Sequence, residues 1–218
     1  GGGKSEAGRG MKDYWVIRLD GNGNKSWDKT FGGAQDDQAK DAVQTADGGF
    51  LVVGHSKSGL NGDKSENGRG DFDYWVVKID ANGNKLWDKR FGGFAADSCY
   101  SVAQTADGGF LLAGHSKSGV SGDKSEAARG DSDRWVVRIN ANGNKLWDKT
   151  YGGSDADGLG QILATQDGGF LLNGSSKSPV GDEKSQASRG EKDFWVVKID
   201  AGGNKLWDKT YGGAGRDD

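Results

Sequence analysis

Residues that cross-link a chain or bind metals are scarce in this sequence of 218 residues, which has one cysteine, one methionine and two histidines. Proline is equally scarce, with a single residue. The lone Cys99 cannot form an internal disulfide bond, so no disulfide framework is predicted. Two histidines and one cysteine also cannot supply a zinc site of the usual composition. No run of about 18 apolar residues occurs, so the sequence predicts no membrane span.

A strong charge of either sign is also missing. The formal net charge is −3, and the 29 basic residues are interleaved with the 32 acidic residues along the chain. No basic stripe is therefore available for a nucleic acid backbone, and we expect no nucleic acid partner.

The sequence does contain a repeat of sixty residues. The segments DYWVIRLD, DYWVVKID, DRWVVRIN and DFWVVKID begin at positions 13, 73, 133 and 193, and the loop before each of them repeats as well. The chain is therefore a tandem array. We divide it into a half repeat, 13–33, and complete repeats 37–93, 97–153 and 157–213, which together form a single domain or segment, 1–218.

Each repeat has the pattern of four short β-strands, which we name A, B, C and D in chain order. FLLAGHS (110–116) is a short apolar run, typical of a strand covered on both faces, whereas DYWVVKID (73–80) has alternating faces. The connections TADGG (105–109) and DANGNK (80–85) contain the Asp, Asn and Gly residues that hairpin turns favour. The pattern predicts a four-stranded antiparallel meander.

A meander of four short strands that is apolar on both faces is not stable alone, whereas stacking such units around an axis buries both faces. The predicted fold class is therefore all-β, a β-propeller with four-stranded antiparallel blades and about three and a half 60-residue repeats in this chain. A linear solenoid of stacked repeats is the alternative. A β-sandwich fits less well, because the strands of sandwiches do not recur at a strict long period.

The segments SVAQTADGGFLLAGHS and DRWVVRINANGNKLWDKTYGG, both within residues 101–153, resemble the blades of quinoprotein-type β-propellers. They are still more similar to the tandem arrays of DYWVVKLDANGNK, WDKTFGG and QTSDGGYILGGYS segments in secreted and cell-surface proteins of the Bacteroidetes, and the likeness covers essentially the whole chain. The resemblance implies an exported protein, extracellular or at the cell surface, of a kind that often carries a type IX secretion sorting domain. It implies a location rather than an activity.

The number of repeats raises the question of how a ring would close, because few propellers have fewer than four blades. We favour the interpretation that residues 1–218 are part of a longer chain. The alternatives are a homodimer in which two copies close one ring, and a ring with one incomplete blade.

The topology also predicts where partners bind. In a meander, the A–B and C–D turns lie at one end of the blade, and the long B–C loops lie at the other end with the D–A connections. Long loops on a rigid scaffold are where binding residues usually occur, so we predict that the B–C loops contact a protein or glycan partner at the cell surface. The predicted binding residues are Asp63, Lys64, Glu66, Arg69 and Asp71, with Asp123, Lys124, Glu126, Arg129 and Asp131 in the next repeat.

Two of these loops contain the Arg-Gly-Asp tripeptide that many adhesion receptors recognise, at 69–71 and 129–131. In the other two copies the residue after Arg-Gly is Met11 or Glu191. The tripeptide therefore belongs to a repeated loop in which the residue after Arg-Gly varies between copies. We interpret it as a solvated turn rather than an adhesion signal.

No catalytic residue is predicted. His55 and His115 end strand B in two copies, but the third copy has Ser175, so a histidine function common to the repeats is excluded. Cys99 occupies the position of Ala39 in another copy and is interpreted as a small apolar residue.

Neighbouring carboxylates also occur in the D–A connections, as Asp36 with Asp37 and Asp155 with Asp157. They lie in polar, Gly-rich segments, so we interpret them as parts of solvated turns rather than as an acid and a base. TADGGF (105–110) resembles the Asp-box of sialidase propellers, which is a stabilising turn in that family, although the following Thr-Trp is missing here.

No cofactor is predicted, but calcium is left open at two places. The C–D turns resemble the start of a calcium loop, although they lack its distal Glu, so a plain hairpin turn is the preferred interpretation. The candidate ligands in these turns are Asp20, Asn22, Asn24, Asp80, Asn82 and Asn84. The second place is the acidic B–C loop with Asp63, Glu66, Asp71 and Asp73, where Lys64 and Arg69 favour internal ion pairs instead.

Trp75 and Trp87 recur once in every repeat, where a bulky residue fills the space between blades or offers a stacking platform for sugars. We predict a non-enzymatic binding or scaffold propeller. The first alternative is a carbohydrate-binding propeller, which requires exposed aromatic side chains at the end with the B–C loops. A hydrolase, which requires converging carboxylates around the axis, is the third candidate, and a purely structural spacer is the fourth.

Overall fold

The computed structural model describes residues 3–217, which form an all-β structure without a helix. No helix that could cross a membrane therefore occurs between residues 3 and 217. The strands are β1 (Tyr14–Leu19), β2 (Lys25–Phe31), β3 (Asp37–Gln44), β4 (Phe50–Ser56), β5 (Asp73–Ile79), β6 (Lys85–Phe91), β7 (Asp97–Gln104), β8 (Phe110–Ser116), β9 (Asp133–Ile139), β10 (Lys145–Tyr151), β11 (Gln161–Ala164), β12 (Phe170–Ser176), β13 (Asp193–Ile199) and β14 (Lys205–Tyr211).

These strands form three four-stranded antiparallel sheets and one two-stranded sheet. Blade 1 is β3 to β6, blade 2 is β7 to β10 and blade 3 is β11 to β14, with the strands of each blade hydrogen-bonded in chain order. The half-blade is β1 with β2. The predicted meander and the propeller-like blades are confirmed, and the ring of blades is not closed.

Tight turns with short side chains hold the hairpins. In the C–D turn of blade 1, the Asp80 carboxylate accepts hydrogen bonds from the backbone N–H groups of Asn82 and Asn84, both at 2.8 Å. Gly83 in this turn has a φ of 83°, a conformation that glycine adopts without strain. The turn chemistry read from the sequence therefore accounts for the geometry.

The core lies between the blades, because each blade is apolar on both faces. Tyr74 and Val76 of β5 face blade 2 and share a cluster with Trp135, whereas Trp75 faces the half-blade and packs with Tyr14. The indoles at positions 75, 135 and 195 are fully buried. These tryptophans therefore fill the space between neighbouring blades, as one interpretation of the repeat predicted.

A side-chain hydrogen bond links each strand C to the next one. The hydroxyl of Tyr14 donates to the carbonyl oxygen of Trp75 at 2.9 Å, and that of Tyr74 donates to the carbonyl oxygen of Trp135 at 2.8 Å. In blade 2 the corresponding residue is Arg134, whose Nη2 donates to the carbonyl oxygen of Trp195 at 2.8 Å. One position per repeat thus fixes the spacing of adjacent blades.

The innermost strands of the three blades are adjacent. Strand β7 contacts both β3 and β11. The backbone N–H of Val102 donates to the Asp41 carboxylate at 3.0 Å, and the N–H of Ile162 donates to Oγ of Ser101 at 3.2 Å. These lateral contacts define the axis around which the blades are arranged.

Candidate functional site at the loop end and axis

The B–C loops and the D–A connections lie together at one end of the blades, as the meander predicts. In blade 1, the backbone N–H of Asp63 donates to the carbonyl oxygen of Gly32 at 2.9 Å, and the Asp63 carboxylate accepts a hydrogen bond from the N–H of Gly32 at 3.0 Å. Asn61 Oδ1 accepts a further bond from the N–H of Ala34. Each B–C loop is therefore fixed to the connection that precedes its own blade. We call this surface the loop end.

The arginine and the first aspartate of the predicted binding set form ion pairs between successive loops. Arg9 pairs with Asp63 at 3.1 Å, and Arg69 pairs with Asp123 at 2.7 Å. In the following pair of loops, Arg129 lies 3.7 Å from Glu183. These contacts cross from one blade to the next, so the residues contribute to holding the array together.

The glutamates of the set bind their own blades. Glu126 pairs with Lys149 at 3.0 Å and also accepts a hydrogen bond from the N–H of Thr150 at 2.8 Å. Glu66 likewise pairs with Lys89 at 3.3 Å.

The lysines of the set are buried, which the polar loop sequence did not indicate. Lys64 Nζ lies 5.0 Å above the ring of Trp75, and Lys124 Nζ lies 5.4 Å above that of Trp135. Lys124 Nζ also bonds to Oγ1 of Thr150 at 2.5 Å. Burial lowers the pKa of Lys124 to about 8. The charge faces the indole rather than solvent.

The last residue of the set is exposed. Asp71 forms an ion pair with Lys57 at 2.6 Å with its side chain 59% exposed, and Asp131 is exposed at the same place in the next loop. Gly70, between Arg69 and Asp71, packs against the carbonyl oxygen of Ala95 so closely that a Cβ atom would overlap it. The Arg-Gly pair thus has a packing role that every copy needs, which supports the interpretation of the tripeptide as a turn.

The carboxylates of the D–A connections differ from the sequence interpretation. Asp37 is fully buried, and its Oδ2 accepts hydrogen bonds from the N–H of Gly33 at 2.7 Å and from Oγ of Ser58 at 2.8 Å. Asp157 is equally buried and has equivalent partners. These two residues are structural anchors and not members of solvated turns, because the Gly-rich connection turns its backbone amides inward around the carboxylate.

The calcium candidates in the C–D turns serve the hairpin geometry. The Asp20 carboxylate accepts hydrogen bonds from the N–H groups of Asn22 at 2.8 Å and Asn24 at 2.9 Å, and these bonds lower its pKa. Asp80 uses its carboxylate in the same way. The amides of the turn thus occupy the oxygens that a cation would need.

The acidic residues of the B–C loop do not converge. Asp63 bonds to Gly32, Glu66 to Lys89, and Asp71 to Lys57. Asp73 accepts the backbone N–H of Arg69 at 2.6 Å. Within residues 3–217, no group of three or more His, Cys, Asp or Glu side chains is arranged to hold a metal ion.

An open cleft of about 450 Å³ lies where the innermost strands of the three blades meet, and we call it the axial cleft. Its lining is polar with one aromatic ring, that of the half-buried Tyr100. Lys40 Nζ lies 5.6 Å from the centroid of this ring. The lining residues are Lys40, Asp41, Tyr100, Ser101, Gly160, Gln161 and Asn173.

The two histidines pack beside this cleft. The ring of Tyr100 lies 4.8 Å from that of His115 and 6.0 Å from that of His55. Burial lowers the pKa of both histidines, that of His55 to about 4, so they are neutral at pH 7. They support the tyrosine ring as uncharged aromatic neighbours.

Sequence reasoning missed the axial cleft, although a signal was present. Strand D is nearly the same in each copy, as KLWDKRF and KLWDKTY, whereas strand A reads DQAKDAVQ in β3 and DSCYSVAQ in β7. The frame of the blade constrains every copy equally, so the strand that varies is the one whose side chains are not fixed by the common fold. The sequence differences between copies are therefore concentrated in strand A, which lies at the axis.

One aromatic side chain is also exposed at the loop end. Phe94 is 76% exposed in the D–A connection before blade 2, and its backbone N–H donates to Oγ of Ser121 in the adjacent B–C loop at 3.1 Å. The corresponding residues of other copies are Ala34 and Ser154. The loop end thus has the exposed aromatic ring that the carbohydrate-binding alternative requires.

Comparison with known proteins adds little to this geometry. No protein-family model matches the sequence, and no curated protein matches it. One similar solved structure is a crystal structure of a protein of unknown function from Bacteroides caccae, with 12% sequence identity and a TM-score of 0.43. The similarity covers 91% of this chain and 73% of that one.

Proposed function

We propose that this chain is a non-enzymatic binding segment of an exported bacterial protein. Its propeller-like frame would present the axial cleft and the neighbouring loop end to a partner at the cell surface. The observation that carries this proposal is the contrast between a nearly invariant frame and a cleft whose lining differs in every blade, with Lys40, Tyr100 and Gly160 at the same repeat position. Export is supported by the likeness of the repeat to Bacteroidetes cell-surface arrays.

The loops have a different part in this proposal from the one expected from the sequence. Their charged residues brace adjacent blades, as the pair of Arg69 with Asp123 does. A braced loop loses little conformational entropy on binding, so it suits a rigid recognition surface. The exposed residues Asp71, Asp131 and Phe94 are the ones left for contact with a partner.

A glycan ligand is the second candidate, and Tyr100 favours it. A tyrosine ring packs on the apolar face of a sugar and keeps a hydroxyl for hydrogen bonding. Lys40, Gln161 and Asn173 surround this ring with donors and acceptors of both kinds. Such a lining matches a polyol better than an apolar ligand.

The test is calorimetry of the purified protein against a panel of neutral and acidic polysaccharides. We expect Tyr100→Ala to weaken glycan binding by about tenfold or more, since a stacked ring contributes on the order of 1 kcal/mol beyond its buried area. Tyr211→Ala, which removes a ring that is 59% exposed on blade 3, is the matched control.

Two results would separate the candidates. Binding that survives Tyr100→Ala unchanged places the ligand outside the axial cleft. If no polysaccharide in the panel binds, the glycan candidate fails and a protein partner stays as the proposal. Asp71→Glu combined with Asp131→Glu keeps both exposed carboxylates and destroys only the tripeptide, so binding to the partner should persist. Loss of binding in that double variant would restore the interpretation of the tripeptide as an adhesion signal.

A further inference from the structure

The blades also form a crevice at the end opposite the loop end. It lies between blades 2 and 3, where the A–B turns of both blades and the C–D turn of blade 3 meet, and its volume is about 540 Å³. We call it the turn-end crevice. Both blades that form it are complete. A volume of this order is typical of small-molecule sites.

The crevice is wide because blade 3 has a small residue at the end of its innermost strand. Ala164, the last residue of β11, lines the crevice, and the corresponding residues of the other blades are Gln44 and Gln104. Ile162 lies on the same face of the strand and belongs to the core between blades 2 and 3, so the side chain of residue 164 points to blade 2. The alanine therefore leaves the room that a glutamine side chain would occupy.

Most of the lining is apolar. Phe170 of β12 and the half-buried Trp147 of β10 belong to the core cluster that blades 2 and 3 share, and Ala201 lines the crevice from the C–D turn. The charged side chains of the lining, Arg138 and Asp107, neutralise each other, because Nη2 of the arginine lies 2.6 Å and 2.7 Å from the two carboxylate oxygens. An apolar lining without net charge favours a neutral ligand.

The indole N–H of Trp147 is a free hydrogen-bond donor in this crevice. In the half-blade, Nε1 of Trp27 donates to the carbonyl oxygen of Ala81 in the C–D turn of blade 1, at 3.0 Å. Among residues 3–217, the corresponding Nε1 of Trp147 donates to no acceptor. The C–D turn of blade 3 is held instead by the hydroxyl of Tyr151, which donates to the carbonyl oxygen of Gly203. The indole N–H is thus available to a ligand.

The shape of the crevice suits a flat ligand. Two packed β-sheets lie about 10 Å apart, and the side chains between them normally fill that space. The reduction of one facing side chain to the methyl group of Ala164 leaves a slot near the indole of Trp147. A planar ring fits such a slot better than a saturated ring, which is thicker, and aromatic rings attract one another beyond the area that they bury.

We propose that the turn-end crevice binds a small, neutral aromatic compound that carries a carbonyl or hydroxyl oxygen. The ring of the ligand lies between blades 2 and 3 beside Ala164, and its oxygen accepts the hydrogen bond from Nε1 of Trp147. The site shares no lining residue with the axial cleft, so it is separate from the surface of the proposed function.

The experiment titrates benzamide into the isotope-labelled protein and follows the indole N–H signals by NMR. Trp147→Phe identifies the signal of Trp147 by its disappearance. We expect that signal to move downfield and to saturate, with a dissociation constant on the order of 1 mM, which is usual for a ligand of this size. Because Trp147→Phe keeps an aromatic ring but loses the donor, it should bind benzamide about fivefold more weakly, as measured on the signals of the ligand.

Ala164→Gln tests the slot itself. The variant has the residue that blades 1 and 2 already have at this position, so the blade tolerates it. It should weaken benzamide binding by at least about tenfold, because the longer side chain fills the slot. Leu163→Gln is the matched control, since the side chain of this adjacent residue points to the opposite face of β11 and is 46% exposed. Binding should be unchanged in the control.

Two further probes test the class of the ligand. Cyclohexanecarboxamide has the same amide group on a saturated ring, and glucose is a neutral polyol. Both should bind at least about tenfold more weakly than benzamide. Equal binding of either probe would overturn the aromatic assignment. The site itself would be overturned if benzamide did not shift the Trp147 signal, or if Ala164→Gln left benzamide binding unchanged.

Discussion

In each repeat, buried carboxylates accept hydrogen bonds from backbone N–H groups of the loops and connections. Asp133, the first residue of β9, is fully buried, and its Oδ2 accepts the backbone N–H of Arg129 at 2.5 Å. Among the described residues, its Oδ1 has no hydrogen-bond partner. Burial and, to a smaller extent, the neighbouring charge of Asp157 raise the pKa of Asp133 to about 6, against the hydrogen bonds that lower it. Ionising this side chain in the folded state is therefore unfavourable.

Asp133→Asn should consequently change the pH dependence of stability. The folded pKa of about 6 lies above the value of about 3.9 of an unfolded aspartate, so the wild-type contribution is present below pH 4 and is lost as the pH rises through 6. We expect the free energy of unfolding of the variant, relative to that of the wild type, to increase by about 1 to 2 kcal/mol between pH 4 and pH 7. Urea unfolding at a series of pH values measures this difference, with Asp131→Asn, an exposed carboxylate of the same loop, as the control. A difference that does not vary with pH would contradict the assignment.

Tyr74→Phe tests the hydrogen bond between adjacent strands C. The substitution keeps the ring in the core and removes the donor to the carbonyl oxygen of Trp135. We expect the free energy of unfolding to fall by about 1 kcal/mol, since a buried acceptor loses its partner. Tyr211→Phe removes a hydroxyl from a ring that is 59% exposed and should leave chemical denaturation unchanged. Equal losses of unfolding free energy in the two variants would mean that the hydrogen bond of Tyr74 does not contribute to stability.

At the scale of the element, the B–C loop is a brace between blades. Its amides and charged side chains bind the preceding connection, its own strand D and the next loop. Gly70 matters here because the loop lies directly on the carbonyl oxygen of Ala95. The loop is long because it crosses these contacts in turn, so its length does not by itself indicate a ligand.

Gly70→Ala should therefore destabilise the protein. The added methyl group would overlap a backbone oxygen, so either the loop or the connection must move, at a cost of about 2 kcal/mol. Gly119→Ala in the next B–C loop is the matched control, since no atom lies within 4 Å of its added Cβ position. Thermal unfolding of the two variants side by side gives the comparison. A melting temperature of Gly70→Ala equal to that of the control would refute the packing argument.

The elements themselves were predictable from the sequence, whereas the roles of several side chains were not. The alternation in DYWVVKID placed Trp75 and Tyr74 on opposite faces, and the structure confirms it. A lysine in a polar loop looks exposed, so nothing in the sequence indicated that Lys64 would cover an indole. Asp37 looked solvated for the same reason, because local polarity does not reveal where backbone amides converge.

On the scale of the whole molecule, the array has two unlike ends. The half-blade exposes the edge and apolar side chains of β1, while blade 3 exposes its outer strand, with Trp207 44% exposed and Tyr211 59%. The middle blades are covered on both faces. The described residues thus form a stack with a protected centre and two open ends.

Hydrogen exchange should reproduce this gradient. Strand β1 has a partner strand on one side only, and several of its side chains are exposed. We therefore expect its amides to exchange faster than the amides of β5 and β9 by at least about a hundredfold. Mass spectrometry of peptides from the three strands provides the measurement. Uniform protection across them would show that the half-blade is covered in solution.

Several contacts between successive repeats are made to main-chain atoms, such as the carbonyl oxygens of Trp75, Gly32 and Ala95. Every copy offers these atoms whatever its side chains are. A unit can therefore be duplicated, deleted or exchanged with another, by recombination in the gene, and still join its new neighbours. The number of repeats in such an array can change while the contacts between repeats stay the same, and the sequence of strand A can diversify within each repeat.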